Sequence, residues 1–236
     1  MAGHMADGDD PERVLHEIGW LAGFPAPFRK IWLANARTIT VERGEAVYRE
    51  GDEGRCFYGL VTGTLAITIG PPLLAPRLVN IMNPGTWFGV GPMLKGEPRN
   101  MEFRAAEPAR LVRVSGAAID QMAERDPLIL RHVGRLAMWG HDLATRIAAE
   151  LLIPSSNRRI AAVILRIASP DPMDGRVGES GICVTQSQIA EMANVSRNLA
   201  NTALGELRAA GWIETRYNRL LVRNPAALAA FVHGDD

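Results

Sequence analysis

The 236-residue chain is long enough for two domains of ordinary size, each with its own core. Its 26 Lys and Arg balance 26 Asp and Glu, so whole-chain charge does not point to nucleic acid, and it holds no apolar run long enough to span a membrane. Two cysteines, Cys56 and Cys183, are too few for a four-thiolate iron–sulfur or zinc site and read as buried free thiols of a cytoplasmic protein.

Met1 to Met5 read as a vector remnant, and residues 1–10 as a disordered start without the apolar core of a signal peptide. From 11 to 36 apolar residues recur at helical spacing (Val14, Leu15, Ile18, Leu21, then Phe28, Ile31, Trp32, Leu33), and Pro25 and Pro27 split the run into two short helices. The pattern then changes to short strands separated by turns. Strands are expected at Thr38–Val41, Val47–Arg49, Cys56–Val61, Thr64–Ile69, Leu78–Met82, Phe88–Gly91, Met101–Ala105 and Ala109–Val114. About eight strands at this spacing predict an antiparallel barrel or jelly roll.

Ser115 caps a short helix over Ala117–Glu124. Asp126 and Pro127 then supply an N-cap and first-turn proline for a long helix ending before Pro154. Along it Ile129, Val133, Leu136, Gly140, Leu143, Ile147 and Leu151 recur close to a heptad. That stripe fits a helix lying on its own barrel or a parallel two-fold seam; the seam is expected, with Leu136, Leu143 and Ile147 in it.

Asn157–Ala168 reads as a helix, Ser169–Gly181 as a loop rich in breakers, and Ile182–Val184 as a short strand. Thr185 with Gln188 forms a capping box for a helix whose apolar face is Ile189, Ala190 and Ala193, and Asn194 suits the left-handed turn that ends it. Ser196 caps a second helix with Leu199, Ala200, Ala203, Leu204 and Leu207 inward, stopped at Gly211. Two strands around Tyr217, Asn218 and Arg219 complete a winged helix-turn-helix. Ser196, Arg197, Asn198, Asn201 and Thr202 lie at the open N-terminal end of the second helix, and are the residue types that reach base edges and phosphates in a major groove. Thr185, Gln186 and Arg219 are expected beside them. From Thr185 to Arg223 five arginines stand against three glutamates, a mild basic bias.

The run from Tyr48 through Gly51, Asp52, Gly54 and Tyr58 to Gly63 is similar to the opening of cyclic-nucleotide-binding domains. With the terminal winged helix, residues 15–232 resemble the cyclic-AMP receptor protein / fumarate–nitrate regulator (Crp/Fnr) family of bacterial transcription factors. The resemblance implies an α+β chain: a sensor barrel at 11–125, a dimerisation helix at 126–153 and a winged helix-turn-helix at 154–236. It places an effector's phosphate on the stretch from Phe88 to Asn100. There the family's ribose-binding Glu is replaced by Val90, while Gly89 and Arg99 match and Asn100 replaces a hydroxyl residue. Ala144 and Thr145 fall where a Thr-Ser pair meets adenine. Gly89, Arg99, Asn100 and Thr145 are therefore the candidate effector residues, with Arg99 alternatively a surface side chain. His132 and His141 lack a partner ligand and read as surface or interface residues.

The expectation is a dimeric regulator that binds double-stranded DNA and RNA polymerase, with an unidentified effector that is not cyclic AMP, no metal or cofactor, and no catalytic constellation. The rivals are a ligand-independent regulator of the same fold and a sensory module without DNA binding.

Overall fold

The computed structural model describes residues 11–70, 75–169 and 181–234. The start segment and residues 170–180 of the breaker-rich loop lie outside the described residues.

All eight expected strands form: β1 Ala36–Val41, β2 Ala46–Tyr48, β3 Cys56–Thr62, β4 Leu65–Ile69, β5 Arg77–Met82, β6 Trp87–Phe88, β7 Glu102–Ala105 and β8 Ala109–Ser115. They pair antiparallel in two four-stranded sheets, ordered β1-β8-β3-β6 and β2-β7-β4-β5. One core fills the barrel with Tyr48, Tyr58, Leu60, Leu65, Ile67, Phe103 and Leu111. A second covers the outer face of the β1-β8-β3-β6 sheet, where Phe57, Trp87, Val112 and Val114 meet the N-terminal helices α1 (Pro11–Glu17) and α2 (Ala26–Ala34) and a short 3-10 turn at Trp20–Gly23. Burial on both faces explains why β3 reads as a continuous apolar run and not as an alternation. Trp87 lies flat over Gly59, where a Cβ would come within 2.7 Å of the indole, so that strand position accepts only glycine.

The strand expected at Phe88–Gly91 stops at Phe88. Gly89 turns the chain with φ 98°, and Val90–Lys95 forms α3. Ser115 caps α4 (Gly116–Arg125) by accepting from the Ala118 N–H. The long helix α5 spans Leu128–Leu151, and Asp126 accepts from the Leu128 N–H at its start.

The C-terminal region comprises α6 (Ser156–Ala168), β9 (Ile182–Cys183), α7 (Gln186–Met192), α8 (Arg197–Ala209), β10 (Ile213–Arg216), β11 (Arg219–Val222) and α9 (Pro225–His233). The capping box of Thr185 and Gln188 forms, and Asn194 is left-handed at φ 50°. Ile160, Ile164, Ile189, Ala203, Leu204 and Leu207 make its core. Leu199 does not join them: it is 39% exposed, because the buried arc of α8 is the narrower one through Ala200, Ala203, Leu204 and Leu207.

This region rests on its own chain's barrel. Leu78 and Ile81 of β5 enter the core around α6 and α7, and the Leu78 N–H donates to Glu191 Oε1 at 2.9 Å. Asn83 donates to the Ile167 carbonyl at 2.6 Å. Buried Arg166 on α6 donates to Glu150 on α5 at 2.7 Å and to the Val79 carbonyl at 3.1 Å, and also bonds Asn80. These contacts satisfy charged and polar groups that would be costly to bury alone.

Candidate nucleic-acid interface and effector cavity

The N-terminal end of α8 is open. Ser196, Arg197, Asn198, Asn201 and Thr202 are exposed, as are Thr185 and Gln186 at the start of α7. Ser196 accepts from the Leu199 N–H and so fixes the first turn. Thr202 donates its hydroxyl back to the Asn198 carbonyl at 3.1 Å. Thr185, Gln186, Arg197 and Arg216 line one concavity of 480 Å³ between α7, α8 and the β10–β11 hairpin. Sequence reasoning does not single out Arg216; its place beside the turn at Tyr217 and Asn218 is the signal that could have found it. Tyr217 at the hairpin tip is 93% exposed. Glu214 sits between Arg216 and Arg223, whose hydrogen bonds hold its carboxyl below the usual range.

Arg219 lines the same concavity, but its guanidinium is tied to the barrel. Its guanidinium donates to Glu107 of the barrel at 2.6 Å and to the Gly181 carbonyl at 3.3 Å. Burial raises the neighbouring Cys183 thiol, with Glu107 acting in the same sense.

Of the residues expected in a dimer seam, Ile129, Val133, Leu136 and Leu143 are buried in their own chain, Ile147 is half-buried and Gly140 is exposed. Ile129, Val133 and Leu136 pack in the core under the N-terminal helices, and Leu143 packs in the barrel core with Ile147 against it. Leu136, Gly140, Leu143 and Ile147 are also one wall of a 610 Å³ cavity. The seam assignment is therefore corrected for Ile129, Val133, Leu136 and Leu143. The strongest apolar stripe of an amphipathic helix seeks the nearest apolar surface, and here that surface is the chain's own barrel. The opposite face of α5 stays open: Met138 is 56% exposed and Leu152, just past the helix end, 81%.

Of the candidate effector residues, Gly89, Arg99 and Asn100 line the cavity, but Thr145 does not; it lies on the open face of α5, while Ala144 reaches the cavity. Arg99 is not a surface side chain. It is 4% exposed, donates to the Gly89 carbonyl at 2.9 Å and the Cys56 carbonyl at 3.1 Å, and lies 4.2 Å above the Tyr48 ring. Tyr58 lies 5.8 Å from the guanidinium, and Tyr48 and Tyr58 pack in turn on Phe88 and Phe103, which are stacked at 4.2 Å between centroids. Burial carries the Tyr48 hydroxyl far above its usual pKa, so it stays protonated. His132 is held by Phe24 and Phe28, each 4.6 Å from its ring. Among the described residues no three His, Cys, Asp or Glu side chains group as metal ligands, and no helix is long and apolar enough to cross a membrane.

Residues 38–126 match the model of the cyclic nucleotide-binding domain, and residues 158–231 that of the Crp-like helix-turn-helix domain. A relative in Mycobacterium tuberculosis, named a CRP-like cAMP-activated global transcriptional regulator, is 24% identical over 92% of this chain and 98% of its own. The structure of FixK2 from Bradyrhizobium japonicum superposes with TM-score 0.71 at 17% identity, covering 85% of this chain and 99% of that one. A CRP-family transcriptional regulator from Thermus thermophilus gives TM-score 0.62 at 24% identity over 83% of this chain and 97% of that one. The order of parts, the two matched domains and the full-length relatives agree: the chain belongs to the Crp/Fnr family of transcriptional regulators.

Proposed function

We propose that the protein is a cytoplasmic homodimeric regulator that reads a pseudo-palindromic DNA operator through α8 and, once bound, contacts RNA polymerase. One observation carries this reading. On a rigid, doubly capped helix pair, Ser196, Arg197, Asn198, Asn201 and Thr202 form an unobstructed polar row at the end of the helix that enters a groove. Thr185, Gln186 and Arg216 flank that row as phosphate ligands. Asn198 and Thr202 differ from the family's common Glu and Arg, so the preferred site differs from that of the cyclic-AMP receptor protein.

The dimer forms through the open face of α5. Gly134, Met138, His141, Thr145, Ala148 and Leu152 recur at spacings of four and three, and Gly134 lets two helices approach closely. The barrel's effector is not cyclic AMP, although the mycobacterial relative is named as cAMP-activated. The Val90 side chain offers no acceptor to a ribose hydroxyl, and two of the Arg99 N–H groups are held by protein carbonyls.

Site selection from a random duplex library tests the reading. A two-fold symmetric consensus, bound by two protomers and weakened by Arg197→Ala, is the expected result. Equal retention of all duplexes would leave a sensory module without sequence-specific DNA binding.

A further inference from the structure

We infer that the cavity between the barrel and α5 is a binding site for an apolar monocarboxylic acid; the inference rests on reading the first domain as a sensor and names what it senses. At 610 Å³ the cavity falls within the range of small-molecule sites. Its walls are mostly hydrocarbon and aromatic, Ile67, Val79, Met82, Met101, Leu143 and Ile147 among them. Asn80 accepts from Arg166 and Arg99 is bound to two carbonyls, which leaves the unpartnered indole N–H groups of Trp87 and Trp139 as donors along an otherwise apolar lining. A sugar or phosphate placed there would lose many water contacts for few protein partners, whereas an apolar body gains from leaving water.

The charge of the lining gives the other half of the ligand. Lys95 and Arg99 line the cavity with His141, and no Asp or Glu does. Arg99 is occupied, but Lys95, Asn100 and His141 are exposed. The partner of Lys95 is Glu97 at 3.7 Å, and both side chains are about two-thirds exposed, so a carboxylate can displace it at little cost. The ligand therefore has a buried apolar body and one anionic end that stays partly hydrated near Lys95. It also touches α5 through Trp139, Leu143 and Ile147, on the side opposite Met138 and Thr145, so its occupancy is felt by the helix of the proposed dimer.

The test is calorimetry of the full chain with 1-naphthaleneacetate, its neutral amide, decanoate and cyclic AMP, with tryptophan emission followed in parallel because Trp87 and Trp139 line the cavity. One naphthaleneacetate or decanoate per protomer at micromolar concentration is expected, with altered emission. The amide should bind about fivefold more weakly, the size of one exposed charge interaction. Lys95→Gln should erase the difference between acid and amide. Ala144→Trp, which fills the mouth, should remove binding while the far-UV circular dichroism is kept; the comparison of acid with amide stands even if that variant misfolds. No saturable signal from either acid up to millimolar concentration, equal binding of the amide, or displacement of the acid by equimolar cyclic AMP would each overturn the inference. Operator binding is measured on the same preparation. Acid binding lost with operator binding intact overturns this inference alone, whereas loss of operator binding counts against the regulator reading.

Discussion

Arg219 of the wing and Glu107 of the barrel form an ion pair at 2.6 Å across two domains, so a residue proposed to meet a DNA phosphate is held by the N-terminal domain. The other oxygen of Glu107 accepts from the buried Thr64 hydroxyl at 2.6 Å, which fixes the carboxylate where Arg219 meets it. The pair is partly exposed and contributes on the order of 1 kcal/mol to the docked arrangement. Glu107→Gln keeps an acceptor for Thr64 and removes the charge. It should release the wing and raise operator affinity about fivefold, read by fluorescence anisotropy. Unchanged or weaker affinity would mean that docking and DNA binding do not compete.

The dimer prediction separates the two faces of α5. Met138→Glu places a charge on the open face beside its symmetric copy, and should give a folded monomer in light scattering. Leu143→Glu places the same charge inside the barrel, where Leu143 is 7% exposed. It should lower the melting temperature steeply, since an unpaired buried charge costs several kcal/mol. A folded monomer from Leu143→Glu with a dimer from Met138→Glu would return the interface to the apolar stripe.

These two variants show where the sequence was legible. Strands, caps and the winged helix follow from local chemistry: alternation, the box of Thr185 with Gln188, and Asp126 before Pro127. Which surface the stripe through Ile129, Val133, Leu136 and Leu143 meets is not local, because periodicity identifies a buried face without its partner. The helix Pro225–His233 was missed for a related reason. It is apolar nearly all round, with only Leu228 buried, so no periodic signal rises above the background, although Asn224 and Pro225 are a cap and a first-turn proline. The tie between Arg219 and Glu107 spans 112 positions and has no sequence signature.

Arg197 should dominate specificity. It is the first residue of α8, exposed, and shares its concavity with Thr185 and Gln186. A bidentate Arg–guanine contact contributes about 1–3 kcal/mol. Arg197→Ala should lower affinity for the selected operator by that amount and leave binding to unrelated duplex nearly unchanged. A uniform loss on both DNAs would make Arg197 a phosphate ligand instead.

His132 gives the fold a pH dependence. Burial lowers its pKa from the ordinary 6.5, Arg135 and Arg131 act in the same sense, and Asp126 opposes them. The unfolded chain therefore binds the proton more readily than the folded one. The stability that neutral His132 contributes is complete above 6.5 and declines as pH falls below it. Melting temperature should drop between pH 7.5 and 5.5, on the order of the interval over which such a group titrates. His132→Leu should flatten that slope. An unchanged slope would assign the dependence to another group.

Arg99 is where the family pattern and this chain's packing diverge most. In a cyclic-nucleotide site the matching arginine is free to hold phosphate. Here its Nη1 and Nη2 donate to the carbonyls of Gly89 and Cys56, and its plane covers Tyr48. Freeing it for a ligand would leave two carbonyls without these donors, at about 1–3 kcal/mol each. That cost falls directly on nucleotide affinity. Val90 adds a further unpaired ribose hydroxyl of similar cost. Together the losses move an ordinary micromolar ligand to millimolar or beyond. Calorimetry with cyclic AMP and cyclic GMP should therefore show no low-micromolar binding. Arg99→Gln should act on stability, lowering the melting temperature by leaving the Gly89 and Cys56 carbonyls without these donors. Tight nucleotide binding that Arg99→Gln abolishes without destabilising the barrel would show that the guanidinium is available after all.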